Sequence, residues 1–218
     1  MKLFITFLYL GSILFSAVMA FIYRRELKGR NIFILMPYLV VVFIQETSLA
    51  VFGELGYIPR NALVYNIYRP LSVIVFAVIY YTIPVMHSVK RLVAGLTLVY
   101  LFLVIINYCF VESIFTTSSY LTLARGVLIT FYAVVFLFRY FNIDNPEVER
   151  FWRPLLWITA GIAFFYPVVT TSLTFQKYLE AEHFTLYGLR IYQVIPQLMS
   201  IFMYSCFSYA FYLCRKIK

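Results

Sequence analysis

Acid is scarce in this chain. Of 218 residues only nine are Asp or Glu, and 12% carry any charge, about half the share usual in a soluble domain. Asp144 is the single aspartate, so an intramembrane aspartic protease, which needs two such carboxylates sharing a site, is excluded. Lys2, Lys28, Lys90, Lys177, Lys216 and Lys218 all lie at termini, loops or the edges of apolar stretches. No amine is therefore available inside a span for a retinal Schiff base, which excludes a microbial rhodopsin. The sequence also has no His-Glu-x-x-His, no Gly-x-Ser-x-Gly elbow and no Walker loop, so zinc-peptidase, hydrolase-elbow and nucleotide-hydrolysing chemistry is not expected from this chain. Cys109, Cys206 and Cys214 have no paired spacing and read as buried free thiols rather than a disulfide or metal framework. His87 and His183 fall near opposite membrane faces and cannot join one site. His183, beside Glu180 and Glu182, reads as part of a solvated loop ahead of a weak metal site. No cofactor and no metal is expected.

What the chain does have is apolar length. At 63% hydrophobic and 21% aromatic residues, with a mean hydropathy of +0.87, a soluble globule of this size could not cover its apolar surface. Crossing a hydrocarbon core about 30 Å thick takes about 20 apolar residues as a helix, whereas strands crossing it would alternate in polarity. Uniform runs at Leu3 to Tyr23, Asn31 to Phe52, Tyr68 to Met86, Leu92 to Phe110, Tyr120 to Phe141, Trp152 to Phe175 and Leu189 to Cys214 predict an all-α, polytopic membrane protein. The expected architecture is a bundle of seven transmembrane helices forming one domain over residues 1–218, with no separate soluble domain. The first run is longer than a signal h-region and lacks a clean small-x-small site, so it reads as a retained helix.

Cations are held on the cytoplasmic side during insertion. With the N-terminus outside, the inner loops hold Arg24, Arg25, Lys28, Arg30, Lys90, Arg91, Arg139, Arg150, Arg153, Arg215, Lys216 and Lys218, twelve of the 18 basic residues. Lys2, Arg60, Arg69, Arg125, Lys177 and Arg190 remain outside. That bias predicts an N-out, C-in protein of the cytoplasmic membrane. The net charge of +9 is then a topology signal and a contact with anionic membrane lipids, not a nucleic-acid footprint.

Within the spans, prolines and polar residues stand out. Pro37, Pro84 and Pro154 are expected near helix boundaries, whereas Pro167 and Pro196 lie well inside spans six and seven and should free a backbone carbonyl in each. Ser12, Ser16 and Ala20 make a narrow face for close helix approach. The run from Asp144 to Arg150 reads as a solvated acidic turn capping the next helix, with a docking surface for a soluble signalling partner as the other reading. The segments Tyr65 to Pro70 and Arg190 to Pro196 each open an inward-running helix, a hint that spans three and seven are related by an internal repeat.

The residues with most chemical content share one depth, toward the outer end. Glu46 lies in span two, Arg125 in span five, and Arg69 and Arg190 begin spans three and seven with Asn66, Tyr68 and Gln193 beside them. Arg190, Gln193, Gln197, Ser200, Tyr204 and Ser208 recur at spacings of three or four, which places them on one face of span seven. A polar face in lipid is costly and should turn into the bundle. The expected site is an outward-opening pocket lined by Glu46, Asn66, Tyr68, Arg69, Arg125, Arg190, Gln193 and Gln197. Its excess of guanidinium groups suits a carboxylate, a phosphate or an anionic lipid head group. The competing reading is structural: Glu46 pairs with one arginine as interhelical glue while the other arginines snorkel to the interface.

The run from Met36 through Glu46 to Tyr65-Asn66-Ile67-Tyr68, with Phe151-Trp152 opening a Gly161 to Tyr166 span, resembles the small seven-helix membrane proteins common in Bacteroidota. The resemblance is one of layout and implies the fold without an activity. Arg69-Pro70 stands where such proteins lead one to expect an acidic residue. Pro196-Gln197 is similar to the Pro-Gln pair of seven-helix sweet-type sugar transporters, but a second pair in the first half is missing. Two function classes follow. One is a non-enzymatic sensor or partner subunit that binds a small anionic or lipid ligand and works with a cytoplasmic or membrane protein partner or with a second copy of itself. The other is a small-solute transporter or channel-like protein. A lipid-acting intramembrane enzyme is a weaker third class, since no nucleophile and base pair is visible. A polar path from Gln197 through Ser208 to the inner face would favour transport, and a pocket sealed below Gln197 would favour sensing.

Overall fold

The computed structural model describes residues 2–54, 62–116, 118–176, 179, 185–186 and 189–216. Helices α1 (Lys2–Ile22), α2 (Arg24–Gly29), α3 (Leu35–Glu54), α4 (Ala62–Thr82), α5 (Lys90–Ile106), α6 (Ser119–Phe141), α7 (Pro146–Thr174) and α8 (Ile191–Lys216) make an apolar bundle. A 3-10 segment, Pro84–Val89, leads into α5 and a π-turn, Asn107–Val111, extends it. Among the described residues six segments are long and apolar enough to cross a membrane, and Leu35–Val51 adds a shorter apolar helix. This is the architecture of a multi-pass membrane protein, and the outward apolar side chains, such as Phe4, Phe7, Phe102, Phe138 and Phe164, suit a hydrocarbon solvent.

Helix α8 packs along α7 and α1, α6 along α7, α1 against α3, and α4 against α5 and α6. Close approach along two of these seams depends on missing side chains. A Cβ on Gly126 of α6 would overlap the Thr170 side chain of α7, and one on Gly161 would press on the Met203 carbonyl of α8 at 3.3 Å. Lipid gives helices no hydrophobic reason to associate, so such backbone proximity carries much of the packing. On α1, Ser16 and Ala20 are fully buried, as a small-residue face requires. Helices α3 and α4 approach closely at few places. There the side chains close the ring: Tyr38 stacks on Tyr68 at 6.0 Å and their hydroxyls share a hydrogen bond.

Several helix ends differ from the sequence reading, each for a local reason. Helix α4 begins six residues before Tyr68, because Pro70 is tolerated inside it. Pro70 has no N–H to donate to the carbonyl of Asn66, and the Tyr108 hydroxyl donates to that oxygen instead, at 3.5 Å. Arg69 therefore lies two turns into a helix rather than at its start. Helix α7 begins at Pro146, where the Asn145 side chain accepts from the N–H groups of Glu147 and Val148, the expected cap. Pro154 is consequently inside α7 and not at a boundary. At about 1.5 Å per residue the 29 residues of α7 reach about 43 Å, so its charged first turns extend past a hydrocarbon core of about 30 Å. Leu189 and Arg190 pair with Thr185 and Leu186 as a two-residue antiparallel ladder, and α8 starts after it at Ile191. Cys109 is exposed on the π-turn, whereas Cys206 and Cys214 are buried free thiols. His87 is exposed in the 3-10 segment. His183, Glu180 and Glu182 lie outside the described residues.

One end of the bundle is filled by side chains. Tyr80, Tyr132, Phe136, Phe207 and Phe211 are fully buried there, with Tyr80 against both Tyr132 and Phe136. Arg30, nearly buried, donates through Nε to the Phe151 carbonyl at 3.2 Å and lies over the Phe151 ring, which ties the turn after α2 to α7.

Candidate functional site: a charged cavity at one end of the bundle

The other end encloses a cavity of ≈ 620 Å³ lined by side chains of α1, α3, α4, α6, α7 and α8. Its described lining includes three charged groups: Glu46, Arg69 and Arg125.

Glu46 comes from α3, eight residues before its end, about 12 Å deep at helical rise. Its carboxylate accepts from the Tyr65 hydroxyl of α4 at 3.3 Å, and the Tyr9 hydroxyl of α1 also bonds to it. Both donors are neutral. Arg125 comes from α6, six residues past its start and about 9 Å deep. Its guanidinium lies over the Tyr166 ring of α7 at 5.5 Å, and its Nε is buried with no hydrogen-bond partner. Arg69 is buried, with only 6% of its surface exposed. It donates to the Asn66 side-chain oxygen at 2.6 Å and to the Ser118 carbonyl at 3.2 Å. Arg69 and Arg125 are close enough to act on one another electrostatically, so positive potential gathers on one side of the cavity. Tyr68 also lines the cavity, within the field of Arg125 and of Glu46 alike, and its hydroxyl bonds to that of Tyr38. None of the three charged groups forms an ion pair with a described residue, and the cation–π contact of Arg125 is a weaker substitute.

Of the eight residues singled out in the sequence, Glu46, Tyr68, Arg69, Arg125, Gln193 and Gln197 line this cavity. Gln193 is exposed, at the open end; Gln197 donates to Thr6 of α1 at 3.5 Å. Asn66 and Arg190 are not in the lining. Asn66 is buried and its amide donates to the carbonyls of Ile114 and Thr116 at 2.6 and 2.8 Å, fastening the segment after α5 and presenting its own oxygen to Arg69. Arg190 is exposed and donates to the Tyr192 hydroxyl at 2.8 Å. The sequence reading missed Tyr9, Tyr65 and Tyr166. With 20 tyrosines in the chain, nothing in their spacing marks these from the interface aromatics expected in any membrane protein. Two contributing helices, α1 and α7, were absent from the expected lining for the same reason.

Toward the packed end the cavity stops at Ser200, Met203 and Tyr204. Ser200 and Ser208 donate to carbonyls of their own helix, Pro196 and Tyr204. Beyond them Phe207, Ala210 and Phe211 are fully buried. The polar stripe of α8 is therefore interrupted as a path. Among the described residues no three His, Cys, Asp or Glu side chains gather as a metal site. No family model, curated protein or solved structure matches the chain.

Proposed function

We propose that this chain is a non-enzymatic protein of the cytoplasmic membrane, crossing it seven times with its N-terminus outside and its C-terminus inside. Its cavity binds a small anionic ligand or lipid head group, and the protein acts as a sensor or as the subunit of a cytoplasmic or membrane protein partner. The observation that carries the reading is Arg125: a cation held within the apolar bundle, with a buried Nε that no acceptor among the described residues meets and a ring face beneath it. Unpaired charge in a bilayer is costly and is retained where it serves a ligand or a path. A carboxylate or phosphate on that fork would supply the missing counter-charge with charge-assisted hydrogen bonds. The second guanidinium, Arg69, adds attraction without offering its own fully free fork.

The seven-span count takes α3 as a full crossing, and the orientation follows the twelve-to-six bias of basic residues. On that orientation the cavity opens outward. The aromatic packing below Tyr204 favours sensing over transport, because no polar route continues to the inner end. Two measurements test the reading. Purified protein in nanodiscs is titrated with acetate, succinate and inorganic phosphate while its melting temperature is followed. At least one anion should raise it by several degrees, and Arg125→Gln should abolish that rise while the unliganded protein melts as before. If no anion stabilises the wild type, the binding reading fails. Flux of the stabilising anion into proteoliposomes would replace the sensor by the transporter.

A further inference from the structure

We infer that the ligand is a zwitterion: it carries a carboxylate or phosphate that lies on Arg125 and a protonated amine that lies on Glu46. The inference rests on the anion-binding reading above and goes further by assigning Glu46. A plain anion would neutralise the guanidinium side of the cavity, yet leave Glu46 facing only the phenols of Tyr9 and Tyr65 and add a second negative group to the same space. A carboxylate can accept at about four lone-pair positions, and two phenols leave room for the N–H groups of an ammonium. Nothing in the described protein takes that place, since Glu46, Arg69 and Arg125 line one cavity without pairing. The separation is built in: the carboxylate hangs from α3 between α1 and α4, the free guanidinium from α6 against α7, and Tyr68 stands within reach of both fields.

The charge count narrows the class. Two guanidinium groups and one carboxylate leave the lining at +1, so a ligand of net charge near −1, with two units of negative charge and one ammonium, neutralises it. Phosphoethanolamine has this character, its phosphate carrying about −1.5 to −2 at pH 7 as other phosphomonoesters do. A free amino-phosphate or acidic amino acid has the same charge pattern; an ethanolamine phospholipid head group offers the same ammonium and phosphate pair, but as a phosphodiester it carries one negative charge and leaves the lining at +1.

The experiment uses the full chain in nanodiscs of phosphatidylglycerol only, with phosphoethanolamine, its N-acetyl derivative and inorganic phosphate as probes. In the wild type, phosphoethanolamine should bind about tenfold more tightly than N-acetyl-phosphoethanolamine or phosphate, as one additional charge pair warrants. In Glu46→Gln that advantage should shrink to within about twofold, with phosphate still bound. The acetylated probe keeps the comparison independent of any variant's folding. Phosphate binding without preference for the amine overturns this inference and spares the anion site, whereas no binding of any probe overturns both. Repeating the titration in nanodiscs containing phosphatidylethanolamine identifies the source. Competition that weakens the soluble probe about tenfold assigns the site to the lipid head group, and unchanged affinity assigns it to a free solute.

Discussion

The two ends of this bundle are made from the same helices and the same residue type, yet they treat tyrosine oppositely. At the packed end every fully buried phenol finds its partner inside the protein. Tyr80 donates to Thr159 at 3.2 Å, and Tyr132 reaches both Thr97 and the Val93 carbonyl. At the cavity end Tyr9, Tyr65 and Tyr204 line open space, and the first two serve a carboxylate. The difference lies in what stands beside them. Bulky rings such as Phe136, Phe207 and Phe211 fill the packed end. The cavity end holds charged side chains that do not pair: the two cations repel, and the carboxylate is taken up by phenols rather than by a guanidinium. A bundle in hydrocarbon can thus be filled at one end and hollow at the other without any change of helix.

If that contrast is real, substitutions at the two ends should behave differently. The largest effect is expected from Phe136→Ala in the packed end: about 3–5 kcal/mol of stability lost, as for other fully buried aromatic truncations, measured by unfolding in mixed micelles. Next is Asn66→Ala, which strips the carbonyls of Ile114 and Thr116 of their donor and Arg69 of an acceptor. A loss of about 1–3 kcal/mol is expected, chiefly from leaving the buried Arg69 short of an acceptor, with looser protection of the segment after α5 in hydrogen exchange. Tyr38→Phe removes one half of the hydroxyl contact that joins α3 to α4, and a loss of about 0.6 kcal/mol is typical of such an interhelical bond in a bilayer. The smallest change should come from the charges. Glu46→Gln and Arg125→Gln are each expected to leave unliganded stability within about 1 kcal/mol, or to raise it, because neither breaks an ion pair. Breaking a buried pair instead costs about 3–5 kcal/mol. A loss of that size in either variant would restore the view that these charges are interhelical glue and would erase the contrast between the ends.

Much of this was legible along the chain. Helix existence followed from uniform apolar length, and Glu46, Arg69 and Arg125 attract notice because hydrocarbon makes any internal charge conspicuous. Asn145 and Pro146 carry cap chemistry, but the acidic run from Asp144 to Arg150 reads as a turn and the apolar run opens only at Trp152, so the start of α7 at Pro146 was read too late. The start of α4 was not legible, since Pro70 reads as an opening residue until Tyr108, distant in sequence, is seen serving the carbonyl that Pro70 leaves free. The lining tyrosines were equally hidden, because a ring gives no periodic sign of whether it faces lipid, a neighbour or a cavity. Arg190 belonged to the polar stripe by spacing, but the two-residue ladder that precedes α8 keeps it at the surface, outside the lining.

Composition and the lengths of apolar runs were enough to determine the solvent of this protein, its helical class and the few charges that must be explained. Those properties are sums over neighbouring residues. Which charges meet, and whether they neutralise one another, was decided only by the tertiary structure. Pairing depends on distances of a few ångströms between side chains on different helices, and helix order, axial register and the Tyr38–Tyr68 contact set those distances rather than any local pattern.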